Sequence, residues 1–186
     1  IKLGTIADLI QYRTLNDKTI ELVSEKPVDT EHGTFSLRTY TDKVSDCIHH
    51  ALVLGDVSED EPCLVRVQVL NTLRDVLNTR RPGFKSTWSL PDSMRRIAEE
   101  GSGVIVLVGQ EHSFAEELDQ VQAFPDIPAS QRTTSEHGVY RVIGTGSQIL
   151  RDIGVSKMRL LSSPTRYNAI SGFHLEVVEF VENDPE

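Results

Sequence analysis

The sequence predicts a mixed α/β domain in which antiparallel strands come first and helix–strand units follow. Three observations carry that prediction. The run Thr34-Phe35-Ser36-Leu37-Arg38-Thr39-Tyr40 alternates polar and apolar residues, as a half-exposed strand does. His49-His50-Ala51-Leu52-Val53-Leu54-Gly55-Asp56-Val57 and Pro62-Cys63-Leu64-Val65-Arg66-Val67 are apolar runs joined by the acidic turn Ser58-Glu59-Asp60-Glu61, and read as a rigid hairpin. From Ser89 the period becomes helical. Leu90, Met94, Ile97 and Ala98 recur on one face, Gly101 stops the helix, and Val104-Ile105-Val106-Leu107-Val108 follows as a strand covered on both sides.

Taken in order, the chain opens with a short helical pattern, Thr5 as N-cap and Ile6, Leu9 and Ile10 on one face. This stretch has no core of its own, so residues 1–16 read as the tail of an upstream unit plus a linker, and 17–186 as one domain. A strand is expected at Lys18 to Ser24 and a connection at Pro27 to Gly33. With Thr34–Tyr40 and the hairpin, an antiparallel region then covers about residues 18 to 70. The stretch Gln68 to Ser86 is polar, basic and irregular, the kind of loop on which a rigid scaffold places chemistry. After the Ser89–Glu100 helix and its strand, residues 110–144 show no clear period and read as a long surface connection or a lid. The helix–strand alternation resumes with Gly146–Ile153, Gly154 and Lys157–Leu161. It ends with Thr165–Ser171 after Pro164, Gly172, and a strand from His174 to Val181.

Composition bounds the function. At 186 residues the chain holds one sizeable core, and 38% hydrophobic with 25% charged residues places it among folded globular domains. The net charge of -9 opposes general binding to nucleic acid or anionic membranes, so an anionic ligand needs a focused site. No apolar run is long enough to span a bilayer and no signal-peptide pattern starts the chain, which leads to the expectation of a cytoplasmic protein. Cys47 and Cys63 fall on what read as neighbouring strands. A disulfide is conceivable there, and two reduced, partly buried thiols are the plainer reading.

Several stretches, in this order, resemble GTP cyclohydrolase II, which opens the guanine ring of GTP in riboflavin synthesis. They are Gly33-Thr34-Phe35, His49 through Val57, Leu64-Val65-Arg66-Val67, Ile97-Ala98-Glu99-Glu100-Gly101, Gly144-Thr145-Gly146-Ser147-Gln148-Ile149-Leu150-Arg151-Asp152-Ile153-Gly154-Val155, Arg159-Leu160-Leu161 and Leu175-Glu176-Val177-Val178-Glu179. Separately, Lys2 to Arg13 resembles the end of 3,4-dihydroxy-2-butanone 4-phosphate synthase, which precedes the cyclohydrolase in two-part riboflavin proteins. The resemblance thus implies the C-terminal part of such a fusion, a homodimer, and a fused or associated synthase domain as partner.

It also implies a zinc held by three cysteines that activates water. In this chain the corresponding positions are Asn71, Phe84 and Ser86, so no zinc cofactor is expected. A different site built on Cys47 and His49 is conceivable, and His49 and His50 as ordinary strand residues, one inward and one outward, are the plainer reading. The family's general-base Asp corresponds to Val139, which cannot accept a proton, while Arg141 keeps the family's Arg as a vestige. The Arg-Gln-Glu-Gly-Arg loop that grips the triphosphate and base is here Gly109-Gln110-Glu111-His112-Ser113, without either charge-assisted donor. Arg66, Glu111, Ser162 and Arg166 remain as weak candidates for a nucleotide or another anion. The basic loop Arg74, Arg80, Arg81 and Lys85 with Phe84 and Trp88 could touch nucleic acid, but against the overall charge a contact with an acidic partner is the plainer reading. The expected function is therefore a degenerate, non-catalytic cyclohydrolase domain that supports a fused synthase. The alternatives are an active cyclohydrolase with rearranged ligands and a nucleotide- or flavin-sensing module.

Overall fold

In the computed structural model, which describes residues 17–43, 47–77, 79, 88–109, 114–126, 136–164 and 173–183, seven strands form one mixed sheet. β1 (Ile20–Thr30) and β2 (Gly33–Asp42) are antiparallel, in register from Ile20 opposite Asp42 to Thr30 opposite Gly33. β1 therefore runs through the segment expected to be a connection. Pro27 sits opposite Ser36 within it, and is tolerated because β1 is the edge strand of the sheet, with no strand on its other side among the described residues to receive an N–H. The turn closes at Gly33, whose φ of +115 suits glycine, with Thr30 Oγ1 donating to Gly33 O at 2.7 Å.

β3 (Ile48–Leu54) adds to β2 antiparallel, but the expected hairpin between β3 and β4 (Cys63–Val69) does not form. β5 (Gly103–Val108) lies between them, antiparallel to β3 and parallel to β4. The reason is burial. Every residue of β5 is buried, and such a strand lowers its free energy most at the centre of a sheet, with partners on both edges and helices on both faces. The acidic loop after Leu54 consequently spans two strand positions, about 10 Å, rather than making a tight turn.

Helix α1 (Leu90–Glu100) is the crossover from β4 to β5, as its sequence predicted. Ser89 is the N-cap, its Oγ accepting from Asp92 N at 3.2 Å, and Gly101 closes the other end in the left-handed region at φ 84. Residues 110–144, read as featureless, contain α2 (Phe114–Ala123) and the first half of α3 (Glu136–Ile153), a helix far longer than the expected Gly146–Ile153. Just before and at the expected start, α3 buries small residues that leave no apolar stripe. Gly144, Thr145, Gly146 and Ser147 are all buried, and a Cβ on Gly146 would lie 2.9 Å from Val67 Cγ1. β6 (Lys157–Leu161) then pairs parallel with β4, and β7 (Glu176–Val181) parallel with β6.

Alternation along the central strands builds two cores. Val104, Val106 and Val108 join Ile149 and Leu150 of α3 on one face, while Ile105 and Leu107 join Trp88 and Ile97 beside α1 on the other. Cys47 and Cys63 are both free and buried, and burial pushes the Cys63 thiol up to about 11. They do not lie on neighbouring strands, since β5 intervenes. The helices expected at Thr5–Arg13 and Thr165–Ser171 lie outside the described residues. Among the described residues no helix is long and apolar enough to cross a membrane.

Candidate functional site

In an open sheet with parallel strands, ligands bind in the crevice beyond the strands' carboxyl ends. Here Asn71 follows β4, Gly109 follows β5 and Ser162 follows β6, so three positions singled out in the sequence come to one edge of the sheet. Their side chains and backbones are engaged with the protein itself.

Asn71 caps a short π-helical turn, Thr72–Val76, which occupies the start of the loop expected to be irregular. Its Oδ1 accepts from Arg74 N at 3.0 Å, its backbone N–H donates to Asp75 Oδ2 at 2.9 Å, and its Nδ2 donates to Gln120 Oε1 of α2 at 2.8 Å. Asp75 anchors the arrangement. Its side chain is 2% exposed and takes two hydrogen bonds from Arg74, both of 2.8 Å. Burial alone would push this carboxyl up. The Arg74 guanidinium and the N–H groups of Asn71 and Leu90 outweigh burial and hold it below the usual range. Arg74 also donates to Val69 O at 2.8 Å, which ties the turn to the end of β4.

Gly109 stands where the resembling loop has its first arginine, and a side chain does not fit there. A Cβ would lie 2.1 Å from Ile48 O, well inside van der Waals contact. The backbone has closed onto β3 instead, with Gly109 N donating to His49 Nδ1 at 3.0 Å. The imidazole is buried, and its Nε2 lies 4.0 Å from Asp42 Oδ2. His49 thus faces inward and holds the end of β5. His50 is half-buried, its Nδ1 3.2 Å from Thr39 Oγ1. The sequence signal for this contact was a glycine immediately after an apolar strand, which often marks close backbone approach.

Arg66 lies on the α1 face of β4 and acts as a three-way clamp. Its Nη1 donates to Leu161 O at 2.7 Å, Nη2 to Trp88 O at 3.1 Å and Nε to Gln68 Oε1 at 3.1 Å. One side chain therefore joins the end of β6 to the entry of α1. Ser162 donates from Oγ to Ser163 O at 3.1 Å, and its backbone N to Val181 O at 3.1 Å. Trp88, expected on a contact surface, is buried in the α1-side core with Nε1 donating to Val181 O at 2.8 Å, because an indole sheds more apolar area there than a loop position allows. Arg74 is likewise spent on Asp75. Arg80, Arg81, Phe84, Lys85, Ser86, Glu111 and Arg166 lie outside the described residues. Val139 and Arg141 fall in the first turns of α3, and their side chains are outside the description.

A sequence model described as GTP cyclohydrolase II matches residues 21–182. The chain belongs to the GTP cyclohydrolase II family. The chain is 50% identical over 183 residues to a Pseudomonas aeruginosa protein named 3,4-dihydroxy-2-butanone 4-phosphate synthase, with 97% of this chain and 48% of that protein covered. It is 35% identical over 188 residues to a Parabacteroides distasonis "Riboflavin biosynthesis protein RibBA", covering 97% of this chain and 46% of that one. Among solved structures it resembles "RibBX, a two domain 3,4-dihydroxy-2-butanone 4-phosphate synthase from A. baumannii", with a TM-score of 0.69 and 38% identity over 99% of this chain and 46% of that chain. The chain spans about half the length of the curated relatives it matches.

A three-thiolate zinc centre does not fit the residues present. The first ligand position is an amide already committed to Arg74 N and Gln120, and the other two are Phe84 and Ser86. Cys63 begins β4 and Asn71 follows its end, roughly 25 Å away along an extended chain. Among the described residues, no group of three or more His, Cys, Asp or Glu is placed to hold a metal ion.

Proposed function

We propose that this chain is a GTP cyclohydrolase II-family domain of a riboflavin biosynthesis protein that does not hydrolyse GTP. It serves as the structural or regulatory partner of a 3,4-dihydroxy-2-butanone 4-phosphate synthase domain on the same polypeptide, in a cytoplasmic homodimer. The observation that carries this reading is the state of Asn71. The position where the family's first zinc-binding thiolate belongs is a hydrogen-bonded cap, so the water-activating metal has no seat. Support also comes from the relatives, of which those at 50% and 39% identity are named for the synthase reaction although the shared half is the cyclohydrolase part. Gly109 contributes no charge toward a triphosphate, and Arg66 directs its guanidinium at carbonyl oxygens and Gln68.

Metal analysis of the purified chain together with formate release from GTP tests the reading. We expect far less than one zinc per chain and no formate. A stoichiometric zinc with formate released would overturn it. Calorimetric titration with GTP and flavins examines the sensing alternative, for which binding at millimolar ligand or below is the required result. Synthase activity of the two-part polypeptide, compared with a form truncated before Asp17, then reports the sign of any effect on the partner.

A further inference from the structure

Three consecutive residues at the entry to the domain are held by more contacts than an edge strand needs. Gln148, on the half-buried side of α3, reads the backbone on both sides of Lys18: its Oε1 accepts from Thr19 N at 2.9 Å and its Nε2 donates to Asp17 O at 3.2 Å. One turn further along α3, Asp152 Oδ1 takes Lys18 Nζ at 2.7 Å. Its other oxygen accepts from Tyr40 OH at 3.2 Å. Tyr40 is fully buried in the α3-side core, so Asp152 is aimed from below by a fixed donor. Thr19 O accepts from Lys43 N at 2.9 Å, which closes the segment against the β2 end as well.

A side-chain amide that donates to one peptide and accepts from another, two residues on, reproduces what a neighbouring strand would supply. It does so independently of the residues it reads, because only main-chain atoms are bound. Lys18, whose side chain is 66% exposed, adds a side-chain contact through Asp152. The segment thus meets α3 before β1 begins, and residues 17–19 are fixed against that helix.

We infer that Gln148, oriented together with Asp152 and Tyr40, is a positioning residue that makes the juncture before β1 rigid, so that a preceding synthase domain is held in a set orientation rather than on a free tether. This rests on the proposal above that such a domain precedes residue 17. The partner is the remainder of the same polypeptide, and the contact works through geometry at the juncture.

Amide exchange followed by NMR reads the anchor directly. In the unaltered chain the Thr19 amide should exchange at least tenfold more slowly than its unstructured rate. Gln148→Ala should remove most of that protection and leave Val106, at the sheet centre, unchanged as the folding control. Gln148→Glu keeps the acceptor and loses the Nε2 donor, so Thr19 should stay protected more than in the alanine variant. In the two-part polypeptide, Gln148→Ala should increase the maximum dimension seen by small-angle scattering. An unprotected Thr19 in the unaltered chain, or Thr19 protection indifferent to Gln148→Ala with Val106 intact, overturns the anchor. Unchanged scattering beside a lost Thr19 protection overturns the orienting role. None of these readouts involves zinc, GTP or synthase turnover, so their failure and the failure of the proposed function are separable.

Discussion

The centre of the sheet and its carboxyl edge are built on different principles. At the centre, Val104, Ile105, Val106 and their neighbours are buried from both faces, and each contributes mainly by removing apolar area from water. At the edge, Asn71, Asp75, Arg74, Gly109 and Arg66 are joined by directed hydrogen bonds, several of them charge-assisted. The centre tolerates many apolar residues of similar volume, whereas each edge contact demands one donor and one acceptor in place. On the proposed function, the domain keeps its fold while its edge holds itself rather than a ligand.

The comparison is broken most forcefully at the centre. Ile105 is completely buried against the α1-side core, so Ile105→Ala removes buried volume that rigid strands on either side cannot refill. Urea denaturation should show a loss of about 3–4 kcal/mol. A loss under 1 kcal/mol would mean that the α1-side core is loosely packed.

Gly109→Arg, which restores the residue of the resembling loop, tests whether the edge could revert. The new Cβ meets Ile48 O, so β3 or β5 must shift and the His49 contact is strained. The expected result is a destabilisation of about 2–3 kcal/mol with no gain in affinity for GTP. Tighter GTP binding at unchanged stability would show that the backbone there is free to reopen.

How much of this was legible before the fold was known follows the same division. The Ser89 cap, the Gly101 stop and the apolar β5 run were readable because caps and uniform burial leave local signatures. Strand order was not, because nothing within His49–Val67 states that a strand more than thirty residues later will insert between its two halves. The first half of α3 was missed, and the buried Gly144 and Thr145 that join it to the expected half add nothing to an apolar stripe. At the edge, register pointed to positions that differ from the resembling family, but the contacts those residues make were not readable. That Asn71 caps a turn, Arg66 binds carbonyls and His49 holds Gly109 N depends on contacts between segments far apart in sequence.

Asp75 sharpens the comparison through pH. Its carboxyl is held below its ordinary value in the folded chain, so its contribution is present above the unfolded pKa of about 4 and is lost as pH falls through the depressed folded value. Asp75→Asn should cost about 2 kcal/mol at neutral pH, because the paired bonds from Arg74 are lost and a buried amide is left to face the guanidinium. It should also flatten the acid limb of the stability profile between pH 5 and the native midpoint relative to the unaltered chain. An unchanged acid limb would assign that limb to other carboxylates, with Glu100, also lowered against Arg159 and Arg96, the next to examine.

The smallest effect is the most informative about the edge. Asn71→Ala removes the cap to Arg74 N and the bond to Gln120, both at a partly buried and locally ordered turn, so a loss of about 1 kcal/mol is expected. Asn71→Cys should lose a similar amount and still bind zinc far below one equivalent, since Phe84 and Ser86 supply no thiolate and a single sulfur does not compete with water for the ion. The two variants differ only in the reintroduced ligand. Equal stability with equal metal content would show that residue 71 now works through its hydrogen bonds alone, whereas stoichiometric zinc in the cysteine variant would reveal other donors converging on the end of β4.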